Sequence, residues 1–210
     1  MTASDAKMIT EFLLGNFEHE MGITEGVFAV VPADKQHYRP DPVTKSAIDL
    51  LRHITLEDEW LLQSIANGAF TPPPDDSEKC GIMNAADAIA EYKRRIPAAV
   101  SAVRALTGEQ MLREMAMGPM KMPAIQVLSM LLRHSAHHRG QLSTYLRSMG
   151  AKVPGIYGPS ADTRAAQAAG LAIKINAVAP KGVNDAEIPE MIRRAQGEGM
   201  DLTLLETMPS

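Results

Sequence analysis

Apolar residues recur at three- and four-residue steps in four stretches of the chain, a periodicity that predicts four amphipathic helices. In the first, from Ser4 to about Val30, Met8, Ile9, Phe12, Leu13, Phe17 and Met21 follow helical intervals behind Ser4, a candidate N-cap. Gly15, Gly22 and Gly26 weaken it by up to ~1 kcal/mol each relative to Ala. Pro32, Pro40 and Pro42 bound a connector. A second helix opens near Thr44, whose hydroxyl can cap it, and runs through Leu50, Ile54, Leu61 and Ile65 to Gly68. The run Pro72 to Asp76 (PPPDD) cannot continue it. A third helix follows Asn84 and carries Ile89, Tyr92, Ile96, Val100, Val103 and Leu106, with Pro97 predicting a kink or a loosened turn. The fourth, from about Pro123 to Met149, sets Val127, Leu131, Leu142 and Leu146 on or near one face and stops at Gly150. Four such helices joined by irregular connectors predict a mainly α protein, a four-helix bundle.

Beyond Ser160 the period changes. Leu171 to Ala179 alternates apolar and polar residues as a strand does, Ala186 to Gln196 has a helical pattern, and Asp201 to Glu206 is strand-like again. This is one β-α-β unit, and a parallel pair needs neighbours and a covering layer that a forty-residue tail does not supply. Residues 1–162 are therefore the expected helical domain, and residues 163–210 a strand-helix-strand appendage.

Composition narrows the function classes. Across 210 residues, 21 Lys and Arg against 25 Asp and Glu give a formal charge of −4, which excludes a broad basic face for nucleic acid and gives no reason for anionic membranes. No apolar run reaches the ~20 residues of a membrane span, and MTASDAKMIT lacks a basic-then-apolar leader pattern. The expected setting is the cytoplasm, with neither nucleic acid nor membrane as partner. The single cysteine, Cys80, excludes an intramolecular disulfide and a metal site built of several thiolates. Fourteen Met against one Trp, four Tyr and four Phe imply a core that is aliphatic and rich in thioethers. Met111, Met115, Met117, Met120 and Met122 crowd one connector, where loose apolar packing accounts for them better than copper(I) does.

Three of the six histidines fall within five residues of the fourth helix. His134 and His138 are one turn apart, so both imidazoles can reach one ion at ~2.0–2.1 Å. They share a stripe with Leu131, Leu142 and Tyr145, whereas His137 points toward the Arg133 side. The best third ligand is His53, next to Leu50 and Ile54 on the core-facing side of the second helix. Three imidazoles in an apolar setting invite a metal, because each unpartnered one costs about 1–3 kcal/mol. Three protein ligands leave a fourth position open, and three neutral ones leave the full charge on the ion. Glu57, one turn beyond His53, and Gln141, three residues beyond His138, are placed to orient ligands or accept a proton.

These residues carry a resemblance. YRPDP at Tyr38–Pro42, LLRH ending at His53, HSAHHRGQL from His134 to Leu142 and VPGIYGPS from Val153 to Ser160 resemble the DinB/YfiT-like family in order and interval. The resemblance implies an up-down-down-up bundle, often a homodimer, with a divalent metal on His53, His134 and His138. It further implies the family's range of activities, which includes thiol-dependent S-transferases. The expected function is transfer of a small-molecule thiol to an electrophile with zinc, nickel or iron as cofactor. Hydrolysis by metal-activated hydroxide, or a non-catalytic metal-binding role in stress response, are the alternatives. Leu171 to Pro209, with KINAV, KGVND, EIP and ETMP, resembles instead an internal fragment of the radical-SAM GTP cyclase family. The clusters of that family need several thiolates, so the resemblance implies no radical chemistry here.

Overall fold

Each long helix but the last starts where a side chain can serve its first free amides. The structure is a computed structural model that describes residues 1–169, 173–179, 193 and 200–206. It divides into two compact units, Met1–Val153 and Pro154–Ser210, against an expected boundary near residue 162. Helix α1 (Ala3–Ala29) is capped by Thr2 in a reciprocal box with Asp5, so the cap lies two residues before the expected Ser4. Helix α2 (Ala47–Asn67) is capped by Ser46 with Asp49, rather than by Thr44, because only Ser46 has an acid three residues on to return the bond. Gly68 ends it in the left-handed conformation at φ 77°. Helix α3 (Ala85–Arg104) is capped by Asn84 and runs through Pro97, which lies exposed where water can serve the carbonyl deprived of its amide. The methionine-rich connector is ordered as α4 (Gly108–Leu112) and a hairpin of β1 (Glu114–Met117) and β2 (Met120–Pro123) that leads into α5 (Ala124–Ser148). Met111 and Met115 are buried and Met120 is exposed.

Side-chain pairs fix the helix directions. Arg104 at the end of α3 bonds Glu11 and Glu18, and Lys93, toward the middle of the helix, meets Glu25, so α1 and α3 are antiparallel. Arg52 reaches the Ile82 carbonyl, Asp58 meets Tyr92 and Glu59 meets Arg95, which makes α2 and α3 parallel. Ser135 of α5 bonds Asp58 while His138 faces His53, so α2 and α5 are antiparallel. The result is an up-down-down-up four-helix bundle around Leu14, Phe17, Phe28, Leu51, Ile54, Leu62, Ile96, Leu128, Leu131 and Leu142. Parallel α2 and α3 oblige the segment 68–84 to travel back along the bundle. A 21-residue helix is about 31 Å long, and seventeen residues can span roughly 56 Å, so the return leaves slack for a turn at Glu78–Cys80.

Helix α1 corrects one expectation. Of the expected apolar positions Phe17 is buried, but Met8 and Phe12 are each 67% exposed, and the buried face is completed by Ala6, Thr10, Leu14, Thr24 and Val27. The packed face mixes large apolar residues with Ala6, Thr10 and Thr24, and the Met8 and Phe12 side is left outside.

In the second unit, Ser160 caps α6 (Ala161–Ala168) by accepting from the Thr163 amide. Strand β3 (Ile173–Ala179) pairs in parallel with β4 (Met200–Glu206), Ile173 opposite Met200. The helix expected at 186–196 falls outside the described residues, except for Arg193.

Candidate metal centre

The antiparallel packing of α2 and α5 sets His53 opposite a pair of histidines one helical turn apart. Ring centroids lie 4.5 Å apart for His53–His138, 4.5 Å for His134–His138 and 5.2 Å for His53–His134. One ring nitrogen from each residue falls within 4.8 Å of the others, and all three rings are half-buried. Among the described residues no fourth His, Cys, Asp or Glu side chain joins them. His137 lies outside the cluster, exposed, its ring 4.8 Å from that of His138.

Hydrogen bonds orient two of these rings. His53 Nδ1 lies 3.2 Å from Asp76 Oδ2, an acceptor, so Nδ1 carries the hydrogen and Nε2 a bare lone pair. His138 Nδ1 lies 3.1 Å from Gln141 Oε1, whose amide nitrogen donates to the Tyr145 hydroxyl at 3.1 Å; in this amide orientation Nδ1 is the donor and His138 Nε2 is left to ligate. The two Nε2 atoms face one another at 3.2 Å. Two lone pairs at that distance repel unless a cation lies between them. With metal–nitrogen bonds of ~2.0–2.1 Å, that separation subtends about 103°, close to the tetrahedral angle. His134 Nδ1 is buried with no hydrogen-bond partner among the described residues. The bare lone pairs and the unpartnered ring nitrogen fit a divalent cation.

Electrostatics keep the rings neutral. Burial, helped by the neighbouring His138 and by Lys45, pulls His53 down to about 4 against the opposing pull of Asp76. Burial and the adjacent imidazoles bring His134 to about 4 as well. His138 is lowered chiefly by burial, against its bond to Gln141. All three are therefore ready ligands at neutral pH. Glu57 is half-buried, and its carboxyl is raised above the ordinary value by burial first and the charge of Asp76 second. Gln141 holds the His138 ring, an orienting role.

Two groups were not singled out from the sequence. Asp76, paired with Lys45 at 2.6 Å, comes from the connector after Pro72–Pro74, and its signal is topological: parallel α2 and α3 must return that segment past the start of α2. The other is a polar layer beside the site. Fully buried Asp58 accepts from the Tyr92 hydroxyl at 2.9 Å and from Ser135 Oγ at 3.1 Å, and its Oδ1 has no hydrogen-bond partner among the described residues. Burial raises Asp58 to about 7 against those bonds and Arg139. Arg139, itself buried, pairs with Glu20 and donates to Thr24 Oγ1 at 2.8 Å.

A family model described as the DinB family matches residues 7–170. Among solved structures, the chain is similar to a DinB-like protein from Bacillus cereus, with TM-score 0.60 and 22% identity over 70% of this chain and 97% of that one. It is also similar to a DinB-like protein from Bacillus subtilis, with TM-score 0.56 and 23% identity over 69% and 96%. These two likenesses speak for the fold alone. Over 45 residues, 21% of the chain, it is 69% identical to the GTP 3′,8-cyclase of Rhizobium etli and 73% identical to that of Sinorhizobium medicae. The match spans 13% of the length of each cyclase.

Proposed function

The chain belongs to the DinB family, and on that premise we propose that it is a metal-dependent enzyme joining a low-molecular-weight thiol to an electrophile. The observation that carries this reading is the set of three neutral imidazoles with no fourth protein side chain among the described residues. His53, His134 and His138 hold the ion, and zinc, nickel and iron all suit three imidazoles. Bound there, a divalent ion supplies the Lewis acidity that keeps a thiol ionised at neutral pH. Asp76 and Gln141 hold two of the rings in the ligating tautomer. Glu57, its proton affinity raised by burial, accepts the thiol proton. The sulfur–carbon bond then forms as the bond from that carbon to its leaving group breaks. We place the protein in the cytoplasm as a homodimer acting on small molecules; among the described residues no helix is long and apolar enough to cross a membrane.

Glu57 also supports a second reading, hydrolysis, in which the same carboxyl takes a proton from water. The cyclase likeness adds no activity to the proposal, because the chain's one cysteine cannot supply the thiolates of that chemistry. The test is a steady-state assay with a panel of thiols against halogenated and epoxide acceptors, with and without added metal. Turnover that needs the metal and disappears in His138→Ala supports the transferase. Stoichiometric metal binding without turnover for any pair overturns it and leaves hydrolysis or a binding role.

A further inference from the structure

Asp76 stands 23 residues beyond His53, on the segment that returns along the bundle from the end of α2 to the start of α3. Its Oδ2 accepts from His53 Nδ1 at 3.2 Å and from Lys45 Nζ at 2.6 Å. The carboxylate can reach the ring only while segment 68–84 lies against the helices. On either side of Asp76 the segment has separate anchors. Trp60 Nε1 donates to the Thr71 carbonyl at 3.2 Å, and Arg52 Nε donates to the Ile82 carbonyl at 2.8 Å. Removing the Asp76 carboxylate therefore frees the His53 ring without unfastening those anchors.

We propose that Asp76 is a positioning residue of the metal centre, and that through it segment 68–84 is a latch whose docking and the binding of the ion strengthen each other. This rests on the three-imidazole site proposed above. A carboxylate on Nδ1 fixes the tautomer that presents Nε2, holds the ring's orientation and raises its basicity toward a metal. The Lys45 ammonium holds that carboxylate in place. Reciprocity follows from linkage: whatever factor the docked carboxylate adds to metal affinity, the metal adds to docking.

The test is zinc affinity by chelator competition for wild type, Asp76→Ala, Asp76→Glu and the neighbouring control Asp75→Ala, with hydrogen exchange of peptides from 68–84 in zinc-free and zinc-loaded protein. Asp76→Ala weakens zinc binding about 10–100-fold, Asp76→Glu regains most of the loss, and Asp75→Ala, which loses a local bond from the Ser77 amide, stays within about threefold of wild type. Zinc slows exchange in 68–84 by a similar factor in wild type and leaves Asp76→Ala unaffected. Equal zinc affinity in wild type and Asp76→Ala, or wild-type exchange in 68–84 indifferent to zinc, overturns the latch while the three-imidazole site stands. Loss of affinity that the conservative Glu does not restore, with lowered melting of the zinc-free protein, assigns Asp76 to structure alone and also overturns it. A wild type that binds no zinc, nickel or iron refutes the site itself and the latch with it.

Discussion

The stability of Asp58→Asn relative to wild type should rise with pH. The native carboxyl is raised from 3.8 to about 7 because it is fully buried. A carboxyl with a raised native pKa binds its proton more tightly folded than unfolded, so its contribution to stability falls as pH climbs from about 4 to about 7. Integrated over the titration, ionisation costs the native state roughly 2 kcal/mol at pH 5 and roughly 4 kcal/mol at pH 8. Asn never ionises, and its carbonyl can still accept from Tyr92 and Ser135. The stability of Asp58→Asn minus that of wild type should therefore rise by roughly 2–3 kcal/mol from pH 5 to pH 8. The lowered histidines act in the opposite sense, stabilising the fold as pH rises from about 4 to 6.5, but they are common to both proteins and cancel in the difference. Urea unfolding of both proteins at the two pH values, with chelator present so that no ion adds stability, gives the gap directly. A difference that stays constant or falls as pH rises would refute the assignment of Asp58 as the buried proton-holding group.

Metal affinity should fall steeply toward pH 4, where His53 and His134, both held at about 4, lose neutrality, with His138 also lowered from the ordinary histidine value; chelator competition between pH 8 and pH 4 checks it, and an affinity that does not fall between pH 5 and pH 4 would contradict it. Gln141→Ala should weaken metal binding about 10–100-fold by releasing the His138 ring, while Gln141→Glu retains an acceptor and most of the affinity. Gly68→Ala should cost about 1–2 kcal/mol in denaturant unfolding, since φ 77° is strained for Ala and a methyl group there meets the Arg113 guanidinium, which caps Ile65 and Ala66 carbonyls. Ser46→Ala should cost about 1 kcal/mol by the same measurement, as its hydroxyl accepts from the Asp49 amide.

The helices and the three histidines were legible in the sequence because both obey the same period. Core positions of α2, α3 and α5 repeat every three to four residues, and His134 and His138 ride that repeat on the face that packs. Helix α1 defeated the same logic in part, since Met8 and Phe12 follow helical intervals yet lie outside. Which side packs depends on Thr10 and Thr24, whose hydroxyls bond back to Ala6 and Glu20 carbonyls and so can be buried. Asp76 and Asp58 escaped for a different reason. The meaning of each lies in a partner 23 or more residues away, and local pattern carries no trace of such partners. The hairpin Glu114–Pro123 was hidden by methionines, which suit strand, helix or loose connector equally.

X-ray absorption at the metal edge of zinc-loaded protein, before and after adding a small thiol, tests the central claim most directly. The expected spectrum has three nitrogen neighbours at ~2.0–2.1 Å and one exchangeable oxygen neighbour, which a sulfur at ~2.3 Å replaces when the thiol is present. A zinc ion held by four protein ligands, with a spectrum that the thiol leaves unchanged, would contradict it.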